Sequence, residues 1–241
     1  MNATALIFAG GTGTRMSSRV KPKQFLDLFG KPIIIHTLEY FERNAQIDRI
    51  CVVCLEGWIG YLRELLVKYG ISKATIVVPG GATGMESIFN GLRAVYAQES
   101  EPQSCLMLMH DGVRPLINDA IITECIECAR KNGNAITVTS AYETIITVDG
   151  TGALDEVIDR KNSRLARAPQ CFFLEELYSA HLRAQREGYT GAIDSATLMR
   201  HYGATLYTVE GPVENIKITT ATDYYMAKAI IEARENSQIF G

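Results

Sequence analysis

The sequence predicts a single α/β domain: a mostly parallel mixed sheet covered by helices on both faces, with a protruding β-rich arm. Three observations carry the prediction. Short, continuous apolar runs bounded by glycine, proline or acidic residues recur along the first half of the chain. Stretches with apolar residues at helical spacing separate them. Near Asn134 the pattern switches to alternating, β-branched residues and later returns to its earlier style.

Taken in order, residues 3–9 form an apolar run that ends in glycines, a buried strand feeding a loop. Residues 36–44 have helical spacing, with Leu38 and Phe41 on one side. A second buried strand covers 49–55, a helix 61–69, and a third strand 74–78, stopped by Pro79-Gly80-Gly81. Residues 86–97 place Ile88, Leu92 and Val95 on one helical face; 104–110 reads as a strand ending at Asp111, and 120–131 as a helix. Residues 135–141 and 144–148 alternate as strands, with Asp149-Gly150-Thr151-Gly152 as a turn. The polar, basic stretch 157–167 reads as an excursion from the core. A helix near 175–185, a strand at 205–209 and a helix over 221–234 complete the chain, the last with Thr222-Asp223 as its cap. No linker, repeat or low-complexity run divides residues 1–241, so one domain is expected.

Composition excludes several classes. The net charge of −3, with both signs mixed along the chain, argues against a nucleic-acid surface. The apolar runs fall far short of the ~20 residues a membrane helix needs, and no basic-then-apolar leader precedes the first strand. Six cysteines include two C-x-x-C pairs, Cys51/Cys54 and Cys125/Cys128. The first pair lies on a strand, where residues three apart face opposite sides and do not share a metal. The second lies on a helix and reads as small buried hydrophobes. A reduced, cytoplasmic protein is expected.

The chemistry-bearing segment is Ala9-Gly10-Gly11-Thr12-Gly13-Thr14-Arg15-Met16. A glycine-rich turn directly after the first strand stands at the carboxyl end of the sheet, and Gly10, Gly11 and Gly13 let backbone N–H groups approach an anion. A dinucleotide fingerprint would need glycine at Met16, and a P-loop would need Gly-Lys-Ser/Thr. A plain tight turn remains the alternative for the loop alone. It leaves Arg15 and Lys23 unexplained. A triphosphate carries about four negative charges, and a guanidinium fork plus an ammonium point charge complement it. His110-Asp111-Gly112-Val113-Arg114-Pro115 and Asn215-Ile216-Lys217-Ile218-Thr219 stand where further strand ends would face the same cleft. An unpaired ammonium in the apolar run around Lys217 would be costly, so a phosphate ligand or a buried salt bridge is expected for it.

These segments, with Pro22-Lys23-Gln24-Phe25-Leu26, Gly30-Lys31-Pro32, His36-Thr37-Leu38 and Ala168-Pro169-Gln170, follow one another in an order that resembles the 2-C-methyl-D-erythritol 4-phosphate and ribitol 5-phosphate cytidylyltransferases. The resemblance runs from about residue 4 to 232. It implies a Rossmann-like domain of nucleotidyltransferase type. It also implies a reaction in which CTP and a polyol phosphate give a CDP-polyol and pyrophosphate, with Mg²⁺ as cofactor. By the same resemblance Arg15, Lys23, Lys217 and Arg160 would be catalytic. Ala9, Gly10, Gly11, Gly13, Gly81, Ser87 and Gly112 would contact the nucleotide. Asp111, Arg114, Thr144, Arg160 and Ala192 would contact the polyol phosphate, and Asp111 would also help hold the metal. The arm, about 137–167, would carry Thr144 and Arg160 into the active site of a partner in a homodimer.

Departures fall mostly on the polyol side. Ala168 and Ala192 stand where the methylerythritol enzymes usually carry threonine, and Ala82 and Gly84 replace an acid and an arginine. The competing expectations are a catalytically weak nucleotide-binding homologue and a nicotinamide-dependent oxidoreductase. Retention of Arg15, Lys23, Arg160 and Lys217 speaks against the first, and Met16 against the second.

Overall fold

Strand β1 (Ala3–Ala9) runs through the middle of the molecule, with every residue but Phe8 buried. The computed structural model describes residues 2–10 and 21–240, the last four by backbone alone. On one side β1 pairs in parallel with β4 (Arg49–Cys54), which pairs with β5 (Ile76–Pro79); on the other it pairs with β6 (Leu106–Asp111). Between β1 and β4 a small two-stranded turn, β2 (Asp27–Leu28) with β3 (Lys31–Pro32), leads into helix α1 (Ile33–Arg43). Helices α2 (Ile59–Lys68), α3 (Gly84–Tyr96) and α4 (Asp119–Asn132) make the successive crossovers. Their ends carry the expected stop and start chemistry. Thr83 and Glu86 form a reciprocal capping box on α3, Asn118 caps α4, and Gly133 ends α4 at φ 91°.

The sheet continues through β7 (Asn134–Ser140), β10 (Arg164–Phe173) and β11 (Thr208–Glu210), giving seven strands in the order β11-β7-β10-β6-β1-β4-β5. Only β10 runs antiparallel to its neighbours, β6 and β7. Alternating residues divide the interior into two layers. Ile7, Phe41, Leu62 and Ile122 pack on one side of the sheet. Leu6, Leu92, Phe172, Leu177 and Leu198 pack on the other, with helices α5 (Leu174–Glu187) and α6 (Ser195–His201). Cys54 falls in the first layer and Cys51 in the second, as a strand requires. Helix α7 (Ala221–Phe240) closes a smaller cluster with Leu28, Ile33, Val113 and Ile218.

Four points of the sequence reading need correction. The stretch 157–167 is not all excursion: the chain re-enters the sheet at Arg164 and becomes an internal strand, because Arg164–Ala166 find backbone partners on β7. Backbone pairing outweighs side-chain polarity there. The part that protrudes is therefore shorter than 137–167, running from 141 to 163. It contains the hairpin β8 (Ile146–Val148) and β9 (Leu154–Val157), exposed throughout. Helix α6 was not expected; Asp194, whose carboxylate accepts from the Thr197 amide and hydroxyl, is the cap that signals it. The cap of α7 is Thr220 rather than Thr222. The Thr220 hydroxyl accepts from Asp223 N–H, and Asp223 accepts in return from Thr220 N–H. No described helix is long and apolar enough to cross a membrane.

Candidate functional site

A cavity of about 770 Å³ opens at the carboxyl ends of β1 and β6, where ligands enter open α/β sheets. Phe8, Ala9 and Gly10 form its floor. The loop before α3 makes one wall, and the start of α6 with residues 166–168 of β10 makes the other. Lys23 and Lys217 stand among its lining residues.

The first wall is built by local hydrogen bonding. Gln24, almost fully buried, donates from Nε2 to the Ala9 carbonyl at 2.5 Å, tying the short turn Lys23–Phe25 to the end of β1. That places Lys23 beside the carboxyl end of β1. Ser87 Oγ accepts from Gly81 N–H at 3.0 Å and donates to the Thr83 carbonyl at 2.9 Å. Glu86 accepts from the Ala82 and Thr83 amides. The result is a loop held open by its own side chains, with backbone facing the cavity. Gly81 is required sterically: a Cβ there would lie 2.3 Å from Glu86 Cβ.

Asp111 organises the charges at the far end. Its Oδ1 lies 2.6 Å from Lys217 Nζ and its Oδ2 2.8 Å from Arg114 Nε. Burial alone would push this carboxyl up, but the Arg114 and Lys217 charges and their hydrogen bonds prevail and hold it well below the usual carboxylate range. Arg114 also donates from Nη1 to the Asn215 carbonyl at 2.9 Å, and Asn215 Nδ2 donates to the Ala168 carbonyl at 2.7 Å. One buried asparagine thus fixes Arg114, the 215–219 segment and β10 relative to one another. Lys217 itself is not buried: its side chain is 44% exposed while Ile218 packs inside. The apolar run is a period-two pattern with the ammonium on the cavity side. His110, wholly buried against Phe41, is pushed down to about 3 by desolvation and the Arg114 charge, so it stays neutral near pH 7.

Of the residues singled out in the sequence, Ala9, Gly10, Lys23, Gly81, Ser87, Asp111, Arg114 and Lys217 all line this cavity. Arg15, Gly11 and Gly13 lie outside the described residues. Gly112 stands behind the wall rather than in it: its N–H donates to the Phe8 carbonyl and a Cβ would meet that oxygen at 3.0 Å. Ala192 is buried in the second core layer, and its neighbours Ile193, Asp194 and Ser195 take the place in the wall. Thr144 and Arg160 sit on the exposed arm and do not line the cavity of their own chain; Arg160 Nη1 donates to the Tyr142 carbonyl at 3.0 Å. Asp111, expected also as a metal ligand, has both oxygens engaged by cations. Among the described residues no cluster of three or more His, Cys, Asp or Glu side chains stands ready for a metal.

Sequence reasoning missed Asp194 and Arg167 as cavity residues and left Gln170 inside a motif without a task. Gln170 Nε2 donates to Asp194 Oδ2 at 2.8 Å, and its Oε1 accepts from Ala196 N–H at 3.0 Å, clamping α6 to β10. Ser195 Oγ is buried with no hydrogen-bond partner among the described residues. The helix-cap pattern at Asp194 was readable; the meeting of Gln170 and Asp194, 24 positions apart, was not.

Residues 3–233 match the family described as 2-C-methyl-D-erythritol 4-phosphate cytidylyltransferase (IspD). The chain is 52% identical to a ribitol-5-phosphate cytidylyltransferase of Vibrio parahaemolyticus, over 98% of this chain and 99% of that one. It is 47% identical to a protein of the same name from Streptococcus agalactiae, over 98% of each. It is 38% identical to a 2-C-methyl-D-erythritol 4-phosphate cytidylyltransferase of Geotalea uraniireducens, over 97% and 98% of the two chains. The crystal structure of 4-diphosphocytidyl-2C-methyl-D-erythritol synthase from Anaerococcus prevotii superposes with a TM-score of 0.81 at 27% identity, covering 96% of this chain and 98% of that one. With the ordered motifs, the seven-stranded sheet and the charged cavity in place, these likenesses agree: the chain belongs to the 2-C-methyl-D-erythritol 4-phosphate cytidylyltransferase family and is a nucleotidyltransferase that moves a cytidylyl group from CTP to a polyol phosphate.

Proposed function

We propose that the acceptor is ribitol 5-phosphate, so that the reaction is CTP plus ribitol 5-phosphate giving CDP-ribitol and pyrophosphate. One observation carries this choice: the relatives named for ribitol 5-phosphate reach 52% and 47% identity, against 38% for the methylerythritol enzyme. Ala168 in the wall and Ala192 buried behind it are consistent with it, since neither supplies the hydroxyl that the methylerythritol enzymes usually carry there.

In this reading the triphosphate lies along the end of β1, with the glycine segment and Lys23 beside it and the base against the Gly81–Ser87 loop. The acceptor's phosphate oxygen attacks the α-phosphorus in line as pyrophosphate leaves. The attacking phosphate is already anionic, so no general base is needed; positioning and charge stabilisation supply the rate. Lys217, exposed enough to move, leaves Asp111 for the charge that grows at the α-phosphate, and Asp111 and Arg114 remain to orient the acceptor. A divalent ion, Mg²⁺ by family resemblance, would screen the triphosphate charge; Asp111, paired with Lys217 and Arg114 in the ligand-free site, would be available to it only once Lys217 has left.

Pyrophosphate release, measured with CTP and a panel of polyol phosphates with and without a chelator, tests the assignment. Turnover is expected to be greatest with ribitol 5-phosphate and to fall on chelation. Preference for methylerythritol phosphate would move the acceptor assignment, and no turnover with any member would return the chain to a catalytically weak homologue.

We further propose a homodimer in which the arm of one subunit brings Thr144 and Arg160 to its partner's cavity. Ile146, Val148, Leu154 and Val157, each 47–59% exposed on an isolated hairpin, supply the apolar surface such a contact would cover. Sedimentation is expected to show a dimer at assay concentrations; an active monomer would remove the arm from the site. Six free cysteines, five of them buried, support a cytoplasmic setting.

A further inference from the structure

Arg167 lies on β10 where its pairing with β7 is interrupted between Ala166 and Gln170, and it lines the cavity beside Ala168. Its neighbours' charges are all spoken for: Arg114 by Asp111 and the Asn215 carbonyl, Lys217 by Asp111, Arg164 by Glu210 at 3.7 Å. Arg167 differs. Its guanidinium makes one long hydrogen bond among the described residues, Nε to Thr139 Oγ1 at 3.5 Å, and forms no ion pair with any described carboxylate. It is half-buried, and both desolvation and the Arg114 charge disfavour its protonated form.

A guanidinium carries five N–H donors in a planar fork that matches phosphate oxygens. Holding it partly dehydrated, close to a second arginine and without a carboxylate, is unfavourable unless an anion completes the site. Two anions enter this cavity. The triphosphate belongs to the end of β1 with Lys23, whereas Arg167 is carried by β10, separated from β1 by the whole width of β6.

We propose that Arg167 binds the phosphate monoester of the acceptor, from the same chain that carries Lys217, and so positions the attacking oxygen. The proposal rests on the reading of the enzyme as a polyol-phosphate cytidylyltransferase. It makes the acceptor's phosphate site partly complete within one subunit, whatever the partner's arm adds.

The test compares wild type with Arg167→Ala and Arg167→Lys. Arg167→Ala is expected to raise the KM for the polyol phosphate by about 10- to 100-fold, with the CTP dissociation constant unchanged, and Arg167→Lys to recover part of the loss. Inorganic phosphate is expected to compete with the acceptor in wild type, to raise its Tm, and to do both much less in Arg167→Ala. The ligand-free Tm of Arg167→Ala should equal or exceed that of wild type, since an unpaired, half-buried charge has been removed. Unchanged acceptor KM and unchanged phosphate effects would overturn the proposal. Weakened CTP binding with an unchanged acceptor KM would assign Arg167 to the triphosphate instead. Should wild type turn over no polyol phosphate, the function fails on that result alone, while the phosphate-dependent Tm still decides what Arg167 binds.

Discussion

Replacing Lys217 by alanine is expected to lower kcat by about 100- to 1000-fold while changing CTP affinity far less. The ammonium stands 2.6 Å from Asp111 Oδ1 in the ligand-free site, yet its side chain is 44% exposed and free to exchange that partner for a phosphate oxygen. Alanine removes a cation aimed at charge that develops during transfer. It also leaves Asp111 with Arg114 as its one remaining ion-pair partner among the described residues. An incoming phosphate then meets a less compensated carboxylate, so repulsion adds to the lost stabilisation. Lys217 is one of the two charges that hold Asp111 below the usual carboxylate range against its burial, so removing it shifts that carboxyl upward. Steady-state kinetics with calorimetric CTP titration makes the distinction. A kcat within a few-fold of wild type would remove Lys217 from the chemistry, and an equal loss in CTP affinity would make it a nucleotide-binding group only.

Gly81→Ala is expected to damage nucleotide binding as selectively as Lys217→Ala damages turnover. The new methyl would sit 2.3 Å from Glu86 Cβ, 2.9 Å from Glu86 Oε2 and 3.1 Å from the Glu86 carbonyl carbon. A rotamer change does not relieve contacts with Cβ and backbone, so the loop must move. Moving it unpins three contacts at once: Ala82 N–H and Thr83 N–H on Glu86, and Gly81 N–H on Ser87. An overpacked site of this kind costs about 1–3 kcal/mol. The same displacement takes the backbone away from where it would meet the base. CTP affinity should fall by about tenfold or more, with Tm lowered by several degrees and the fold intact by circular dichroism. Wild-type CTP affinity in Gly81→Ala would mean that this loop does not touch the nucleotide.

Much of the framework was legible because it is local. The strand at residues 3–9, the helices before and after 110, and the hairpin turn near Asp149 each follow from period, punctuation and caps within a dozen residues. The stretch 157–167 was misread for a complementary reason. Arg164, Leu165 and Ala166 carry no core signature, and only their pairing with Ser140, Thr139 and Val138 makes them a strand. Helix α6, seven residues long, was overlooked because it is too short to show periodicity and is stabilised by Gln170 reaching across from β10.

The site divides in the same way. Lys23, Asp111, Arg114 and Lys217 could be singled out as candidates for handling phosphate, because residue type and motif order are properties of the chain itself. That all four line one cavity also agrees with the strand-end rule for α/β sheets. Other facts belonged to three dimensions. Asp111 is paired with two cations in the ligand-free site, Gly112 backs the wall instead of lining it, and Arg160 lies on an arm away from its own cavity. Arg167, which sequence alone placed on an exposed arm, becomes a cavity-lining cation that pairs with no carboxylate among the described residues. The physical reason is common to all of them. A sequence determines which charges exist and which local elements carry them, but burial and pairing depend on contacts between residues far apart in the chain, and those contacts decide which charges are already compensated and which remain for a ligand.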